Sequence, residues 1–251
     1  MNLQTQFLHI VGSGASAYMM ARNIRDTQTR PNLLAGFQMA EAGSVPFLET
    51  LRDRAATEGD TWLAEQLTNH AHDERRHGKI FAQALKRLNK RAMTPEELAE
   101  TRRDSSEQRS PFFDAFFKGY PSEALKAEKI DWLVFMGSTY ILELDASKDF
   151  VRMAHALPAD SVDTVNTRKG ILSIAQDETR HAAYLYEALH RRLPAIEAMK
   201  VIDQWRQRKT DALLAMTGNF IQRQGQMRSM VQDAAPNHSE GDIEWLEPEV
   251  A

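Results

Sequence analysis

A fifteen-residue segment occurs twice in this chain, and the repeat constrains the fold more than any other feature of the sequence. Residues 73–87 (DERRHGKIFAQALKR) and 177–191 (DETRHAAYLYEALHR) align without a gap, with seven identical positions. Helical composition could produce several of these matches, but not readily the block D-E-x-R-H in both copies. The repeat therefore predicts a duplicated helical hairpin.

Apolar residues recur at helical spacing along most of the chain, which predicts an all-α fold. Asn32 is the predicted N-cap of the second helix, and three prolines mark residues 92–122 as a long crossover. Two short hairpins joined by that crossover predict a four-helix bundle with a core at about 32–192. The predicted helices lie at about 1–20, 32–58, 60–88, 122–157, 162–192 and 194–220.

These patterns predict a single domain at 1–230, with additional helices before and after the bundle, and an acidic, flexible tail at 231–251. The net charge of -4 provides no strong positive field, so nucleic acid is not an expected partner. No run approaches the ~20 apolar residues that a membrane span needs. We expect a cytoplasmic protein whose first residues form a helix and not a signal peptide.

Each copy of the repeat contains a Glu-x-x-His pair. Glu74 and His77 are three residues apart, and Glu178 and His181 repeat that spacing. On a helix, residues i and i+3 lie on one face, so each pair can converge on one ion. The chain has no cysteine, so a metal here would be held by nitrogen and oxygen. A single pair is common on solvated helices, but two copies favour a metal site and require partner ligands.

Two further glutamates are placed at the same depth by the geometry of an antiparallel hairpin. Two residues lie level when their midpoint falls at the turn. Glu41 and Glu74 have their midpoint between positions 57 and 58, at the first predicted turn. Glu143 and Glu178 have theirs between positions 160 and 161, at the second. The sequence thus predicts that four glutamates meet at one level.

Glu41 and Glu143 are also predicted to face inward, because each shares its helical stripe with apolar residues. A buried unpaired carboxylate costs several kcal/mol, so a group of them requires compensating cations. Metal ions supply that charge better than the few basic residues on these faces. Buried salt bridges, or glutamates on exposed faces, are the alternative interpretation.

With these residues in place, the chain resembles the ferritin-like di-iron carboxylate superfamily over roughly residues 32–192. In that superfamily one Glu from each of two helices and a Glu-x-x-His motif from each of two others hold two metals. The blocks D-E-R-R-H and D-E-T-R-H are particularly similar to those of acyl-carrier-protein desaturases and arylamine N-oxygenases. The chain lacks much of the desaturases' flanking sequence, so their substrates are not implied. The resemblance implies a ferritin-like bundle with the metal ligands Glu41, Glu74, His77, Glu143, Glu178 and His181, of which Glu74 and Glu178 bridge.

Four other residues are candidates for supporting roles. Asp73 and Asp177 precede the ligand glutamates and are turned about 100° from them, so each is predicted to accept a hydrogen bond from the histidine of the opposite motif. The alternative for both is plain surface charge. His70, one turn before Glu74, is interpreted as a core or channel histidine, with ligation as the alternative. Tyr140 is a candidate for hydrogen bonding or electron transfer near the metals, or for a packed core residue.

Oxygen and nitrogen ligands with open positions suit iron or manganese, and paired Fe(II) ions can reduce dioxygen by two electrons. We therefore expect a di-iron oxidoreductase of the oxygenase or oxidase type, with manganese or a mixed Fe/Mn pair as alternatives. Its partners would be O2, a small organic substrate and an external electron donor such as a ferredoxin or reductase. The donor is external because the chain has no cysteine cluster and no flavin or nicotinamide fingerprint.

Two other functions remain open from the sequence. One is ferroxidation or peroxide scavenging, as in rubrerythrins and bacterioferritins, which the absence of a rubredoxin-type cysteine site disfavours. The other is metal binding without turnover. Aromatic residues of the crossover could roof a substrate pocket, form a homodimer interface or form a satellite core. These are Phe112, Phe113, Phe116, Phe117 and Tyr120.

Overall fold

The computed structural model describes residues 3–102, 110–222 and 229–234, and within them the chain is almost entirely helical, which confirms the all-α class. A single 3-10 turn, Ser122–Leu125, lies in the crossover. The elements are α1 Leu3–Arg25, α2 Arg30–Thr57, α3 Thr61–Arg87, β1 Lys90–Ala92, α4 Pro95–Arg102, α5 Pro111–Phe116, α6 Trp132–Ala156, α7 Val162–Arg192, α8 Ala195–Gln222 and β2 Val231–Asp233.

The first hairpin consists of α2 and α3. Asp60 caps α3 by accepting a hydrogen bond from the backbone N–H of Leu63, as its position in the predicted turn indicates. Gly59 adopts φ +84°, a left-handed conformation that favours glycine. The predicted cap at Asn32 is wrong: α2 begins at Arg30, and the Asn32 side chain instead accepts from the backbone N–H of Met230.

The second hairpin consists of α6 and α7. Ser161 and Thr164 form a capping box, and α7 has the bounds predicted from the sequence. In contrast, α6 begins at Trp132 and not near Ser122. The intervening residues are good helix formers, but the guanidinium of Arg54 donates to the carbonyls of Ala127 and Ile130. This tertiary contact holds the segment outside the helix, and Asp131 caps α6 by accepting from the backbone N–H groups of Leu133 and Val134.

The two hairpins meet mainly through antiparallel contacts between α3 and α7. Phenylalanines join α2 to α6 on the other side: Phe37 packs on Phe150 and Phe47 on Phe135. Two apolar clusters fill the interior, one including Leu67 and Met136 and the other including Phe81 and Phe150. Along α3, Leu67 belongs to the first cluster and Phe81 to the second. A layer of polar side chains lies between the two clusters.

Two additional helices flank the hairpins. The last, α8, packs on α5 and α6, and α1 packs on α6 and α8. Gly137 allows the close approach of α8, because a Cβ there would overlap the Trp205 ring. The crossover aromatics join the main core: Phe116 is fully buried and its ring contacts Trp205. Core packing against α8 is shown for Phe116, Phe117 and Tyr120, which contact Trp205, whereas Phe113 is half exposed.

A short antiparallel pair of strands joins the segment after α3 to the segment after α8. Val231–Asp233 pairs with Lys90–Ala92, and the backbone N–H of Ala234 donates to Asn89. The prediction of a flexible tail is therefore wrong for residues 231–233, which are held by long-range backbone hydrogen bonds. Residues 235–251 of that tail lie outside the described residues. No helix within the described ranges combines the length and apolar character that crossing a bilayer requires.

Candidate metal centre

Four carboxylates and three imidazoles converge in the polar layer between the two apolar clusters. All six predicted ligands are present, and His70 joins them. The exposed fraction of the side chains is 15% or less throughout the group. This polar layer consists of Glu41 from α2, His70, Glu74 and His77 from α3, Glu143 from α6, and Glu178 and His181 from α7.

The potential ligand atoms form two adjacent groups, in each of which all the atoms lie within 4.8 Å of one another. We name them the His77 position and the His181 position. The His77 position comprises Glu41, Glu74, His77 and Glu178, and the His181 position comprises His70, Glu143 and His181.

Glu178 reaches both positions. One of its carboxylate oxygens lies 3.3 Å from His77 Nδ1 and the other lies 3.2 Å from His181 Nδ1. Glu74 is similarly central, because its Oε1 lies 3.5 Å from His77 Nδ1 and 3.7 Å from His181 Nδ1. The two glutamates for which the family resemblance implies a bridging role therefore lie between the two positions.

The crossed aspartate–histidine contacts predicted from helix geometry are present. His77 Nε2 lies 3.0 Å from Asp177, and His181 Nε2 lies 3.2 Å from Asp73. In both histidines Nδ1 faces the carboxylates while Nε2 faces the aspartate. An aspartate in this position favours the tautomer that carries its proton on Nε2, which leaves Nδ1 available as a ligand.

An arginine from each repeat extends these contacts toward the surface. Arg180 lies 3.2 Å from Asp73 and also pairs with Asp177. Arg76 pairs with Asp177 and donates to the hydroxyl of Ser173. The arginines neutralise the aspartates, so that these carboxylates can be buried beside the polar layer.

The donor set fits a pair of cations. With Nε2–H donated to an aspartate, the Nδ1 lone pair of His77 faces a Glu41 oxygen at 3.2 Å. The Nδ1 atom of His181 faces a Glu178 oxygen at the same distance. Two acceptors at this separation repel unless a proton or a cation lies between them. Metal ions would satisfy both lone pairs at once.

The electrostatics of the glutamates indicate the same need for positive charge. Burial, followed by the charge of Glu74, raises the pKa of Glu41 well above its usual value. Burial and the nearby charge of Glu143 raise the pKa of Glu178 in the same way. Burial also opposes the ionisation of Glu74 and Glu143, but hydrogen bonds within the layer lower the pKa of both. A divalent cation would therefore compete with protons for the carboxyls of Glu41 and Glu178.

The pKa values of His77 and His181 are shifted in opposite directions, although the two residues occupy equivalent places in the repeat. Burial opposes protonation of His77, but the adjacent Glu178 and Glu74 raise its pKa. Burial and the charge of His70 instead lower the pKa of His181. The difference arises from His70, whose ring stacks on that of His181 with centroids 3.7 Å apart.

The structure adds Tyr184 to the site, and it places His70, a candidate from the sequence, within the polar layer. The Nε2 atom of His70 lies 3.4 Å from Glu74 and 3.5 Å from Glu143. Its Nδ1 lies 2.7 Å from the hydroxyl of buried Tyr184. Tyr184 follows His181 by three residues, so the same i, i+3 rule that pairs the ligands could have found it.

Tyr140 lies at the edge of the site and not within it. Its ring packs beside Tyr186, with centroids 5.7 Å apart, and burial raises the pKa of its hydroxyl. Among the described residues, Tyr140 makes no hydrogen bond to the polar layer. The packing interpretation of Tyr140 therefore agrees with its position.

The site is least covered between α2 and α6. Glu143 and Glu41 have the most exposed side chains of the polar layer, at 15% and 11%. Three residues before Glu41, the Oε1 atom of Gln38 is buried without a hydrogen-bond partner in the part of the chain that the structure describes. A buried amide oxygen of this kind is normally satisfied by water or by a ligand. The side of the polar layer between α2 and α6 is thus its most exposed side.

Comparisons with known proteins provide no independent assignment. No family model, no curated protein and no solved structure matches the chain. The functional argument therefore rests on the residues of the polar layer and their geometry.

Proposed function

We propose that the chain is a ferritin-like di-iron oxidoreductase that activates O2 to oxidise a small organic substrate. The observation that carries this proposal is the polar layer itself: four carboxylates and three imidazoles, buried together in two adjacent groups. A mixture of oxygen and imidazole ligands suits iron, with manganese as the alternative in one or both positions. When bound, paired Fe(II) ions supply electrons for the reduction of dioxygen.

In this proposal the protein's own residues hold and orient the metals. Glu74 and Glu178 would bridge the two ions, because the carboxylate of each lies near the Nδ1 atoms of both motif histidines. Glu41 and Glu143 complete the two positions from α2 and α6. The arrangement of two hairpins around a buried ligand layer supports a ferritin-like four-helix bundle.

The substrate is proposed to approach between α2 and α6, beside Gln38. The unpartnered Gln38 oxygen favours a substrate with an N–H or O–H group, because such a donor would satisfy it. Electrons are proposed to come from a separate protein such as a ferredoxin or its reductase. The chain itself has no cysteine to hold an iron–sulfur cluster.

The test is anaerobic loading with Fe(II), followed by exposure to O2 while absorption and metal content are recorded. We expect two irons per chain and a transient visible absorption band that decays faster when a reactive organic substrate is present. Turnover of many irons into a mineral would instead identify a ferroxidase. Stable binding of two irons with no reaction would identify a metal-binding protein without turnover.

A further inference from the structure

The two central glutamates of the proposed site are not held alike, and the difference comes from the helix beside each of them. The hydroxyl oxygen of Ser44 on α2 lies 3.0 Å from Glu74 Oε2. On α6 the corresponding residue is Ala146, because Ser44 and Ala146 each follow the ligand glutamate of their own helix by three residues. Alanine has no hydroxyl, so α6 offers Glu178 no such contact from this place.

The carboxylate oxygens of the two glutamates are also distributed differently. Glu178 presents one oxygen to each motif histidine: Oε1 lies 3.3 Å from His77 Nδ1, and Oε2 lies 3.2 Å from His181 Nδ1. Glu74 presents a single oxygen to both histidines: its Oε1 lies 3.5 Å from His77 Nδ1 and 3.7 Å from His181 Nδ1. The other oxygen of Glu74 is the one that Ser44 contacts.

We infer that Ser44 is a positioning residue that holds Oε2 of Glu74 away from the metal positions, so that Glu74 bridges the two ions through Oε1 alone while Glu178 bridges them through both oxygens. This inference rests on the di-metal site of the proposed function. It concerns how the two ions are linked, and it assigns a role to a serine that lies outside the repeated motifs.

Donation from Ser44 to Glu74 is favoured over the alternative acceptor. The same hydroxyl oxygen lies 2.7 Å from the backbone carbonyl oxygen of Glu41, three residues earlier on α2. A serine hydroxyl has one proton to donate, and hydrogen bonds to a charged acceptor are roughly twice as strong as those to a neutral one. The Glu74 side chain is 6% exposed, so bulk water cannot replace the serine as its donor.

The first hairpin also has a glycine where its two helices meet near this contact. At Gly78 of α3, an added Cβ would lie 3.1 Å from the Cβ of Ala42 on α2, so the glycine allows the two helices to approach closely. A close approach suits a side chain as short as serine. In the second copy of the repeat the residue at this place is Ala182. The glycine and the hydroxyl thus occur together in the first hairpin, and both have alanine as their counterpart in the second.

The way in which two ions are linked has a magnetic signature. Two Mn(II) ions that share one bridging oxygen atom are coupled more strongly than ions linked only through the three atoms of a carboxylate bridge. The test is electron paramagnetic resonance of the full-length protein loaded with Mn(II), together with a calorimetric titration of the metal-free protein. We expect the parent to bind two Mn(II) ions and to give the spectrum of a coupled pair.

The decisive variant is Ser44→Ala. It should still bind two Mn(II) ions but lose the stronger coupling, because Glu74 is then free to place one oxygen on each ion. Ser44→Thr keeps the hydroxyl and should retain the parent spectrum, a rescue that a role in packing alone would not give. Ser147→Ala is the matched control on α6, since the Ser147 hydroxyl donates to the backbone carbonyl of Leu144. Its spectrum should match that of the parent.

Ser44→Val, which has the shape of the threonine variant without its hydroxyl, replaces Ser44→Ala if the alanine variant does not fold. Two bound Mn(II) ions with parent coupling in whichever of these variants folds would overturn the inference and leave the proposed function intact. Loss of the stronger coupling, in a protein whose parent binds two irons but does not react with O2, would support the inference and overturn the proposed function. A parent protein that binds fewer than two Mn(II) ions would overturn both.

Discussion

The two halves of the molecule, hairpin α2–α3 and hairpin α6–α7, share a ligand framework and differ in what surrounds it. Each supplies a Glu-x-x-His motif and an aspartate that contacts the histidine of the other half. His70 of α3 contacts Tyr184 of α7, whereas the residues 104 positions away from them, Ile174 and Ile80, are apolar. The repeat thus accounts for the matched ligand residues of the two halves, and the contact between His70 and Tyr184 is one place where the halves differ.

The largest expected effect comes from removing a shared glutamate. Glu74→Ala or Glu178→Ala should remove most bound metal and iron-dependent O2 consumption, because each residue lies at both positions. The protein should stay helical at moderate temperature, since the apolar clusters on either side remain. Metal analysis and circular dichroism check this.

The control is Glu49→Ala, which alters a partly exposed glutamate paired with Arg75 on the surface. That variant should retain its metal. Full metal content in both Glu74→Ala and Glu178→Ala would refute the proposal that these two glutamates bridge the metal ions.

A smaller effect is expected from the crossed aspartates. Asp73→Ala should weaken binding at the His181 position and Asp177→Ala at the His77 position, each by about 10–100-fold. The reason is that the affected histidine loses the acceptor of its Nε2–H. Titration of the metal-free protein with Co(II), followed by visible absorption and calorimetry, measures the affinities, and Asp53→Ala, on the surface beside Arg52, serves as the control. If each aspartate variant weakened the position of its own motif, the crossed arrangement would be incorrect.

The pH dependence of stability should sharpen the contrast between the metal-free and loaded states. The raised pKa values of Glu41 and Glu178 stabilise the metal-free protein below the usual carboxyl pKa of 4.5, and that contribution is lost as the pH rises through the raised values. Metal binding requires the deprotonated form. The difference in Tm between loaded and metal-free protein should therefore grow by a few degrees between about pH 5 and pH 8.

Thermal unfolding at several pH values, with and without Fe(II) under anaerobic conditions, measures this difference. A Tm difference that stays constant or shrinks as the pH rises would show that metal binding does not displace protons from these carboxyls.

The smallest effect is expected at Tyr140. Tyr140 precedes Glu143 by three residues, as Gln38 precedes Glu41, but its ring packs beside Tyr186. Tyr140→Phe should leave Co(II) binding unchanged within error and alter stability by less than about 1 kcal/mol. A loss of Co(II) affinity in Tyr140→Phe as large as that expected for Asp73→Ala would show that Tyr140 takes part in metal binding.

The sequence was most informative where local geometry decides the outcome. Helical periodicity and hairpin midpoints are enough to place Glu41, Glu74 and Glu178 at one level, and a 100° turn is enough to pair Asp73 with His181. Each of these inferences needs only the 3.6-residue repeat and the positions of two turns. The regularity of the helices makes them reliable.

Contacts between distant segments could not be predicted in this way. The hydroxyl of Tyr184 lies 2.7 Å from His70 Nδ1, although the two residues are more than a hundred positions apart. The guanidinium of Arg54 likewise holds the carbonyl of Ile130 just before α6. The start of α6 itself has a local signal, because Asp131 caps the helix. The predicted start near Ser122 overlooked this cap.

The strand pair between residues 90–92 and 231–233 has a consequence for the time course of synthesis. The adjoining hydrogen bond joins Asn32 to Met230, which are 198 residues apart. At 5–20 residues per second, a nascent chain needs roughly 10–40 s to extend from one to the other. The second hairpin ends at Arg192, 38 residues before Met230, so its last residue precedes Met230 by roughly 2–8 s. We therefore expect the strand pair to form after both hairpins have been synthesised.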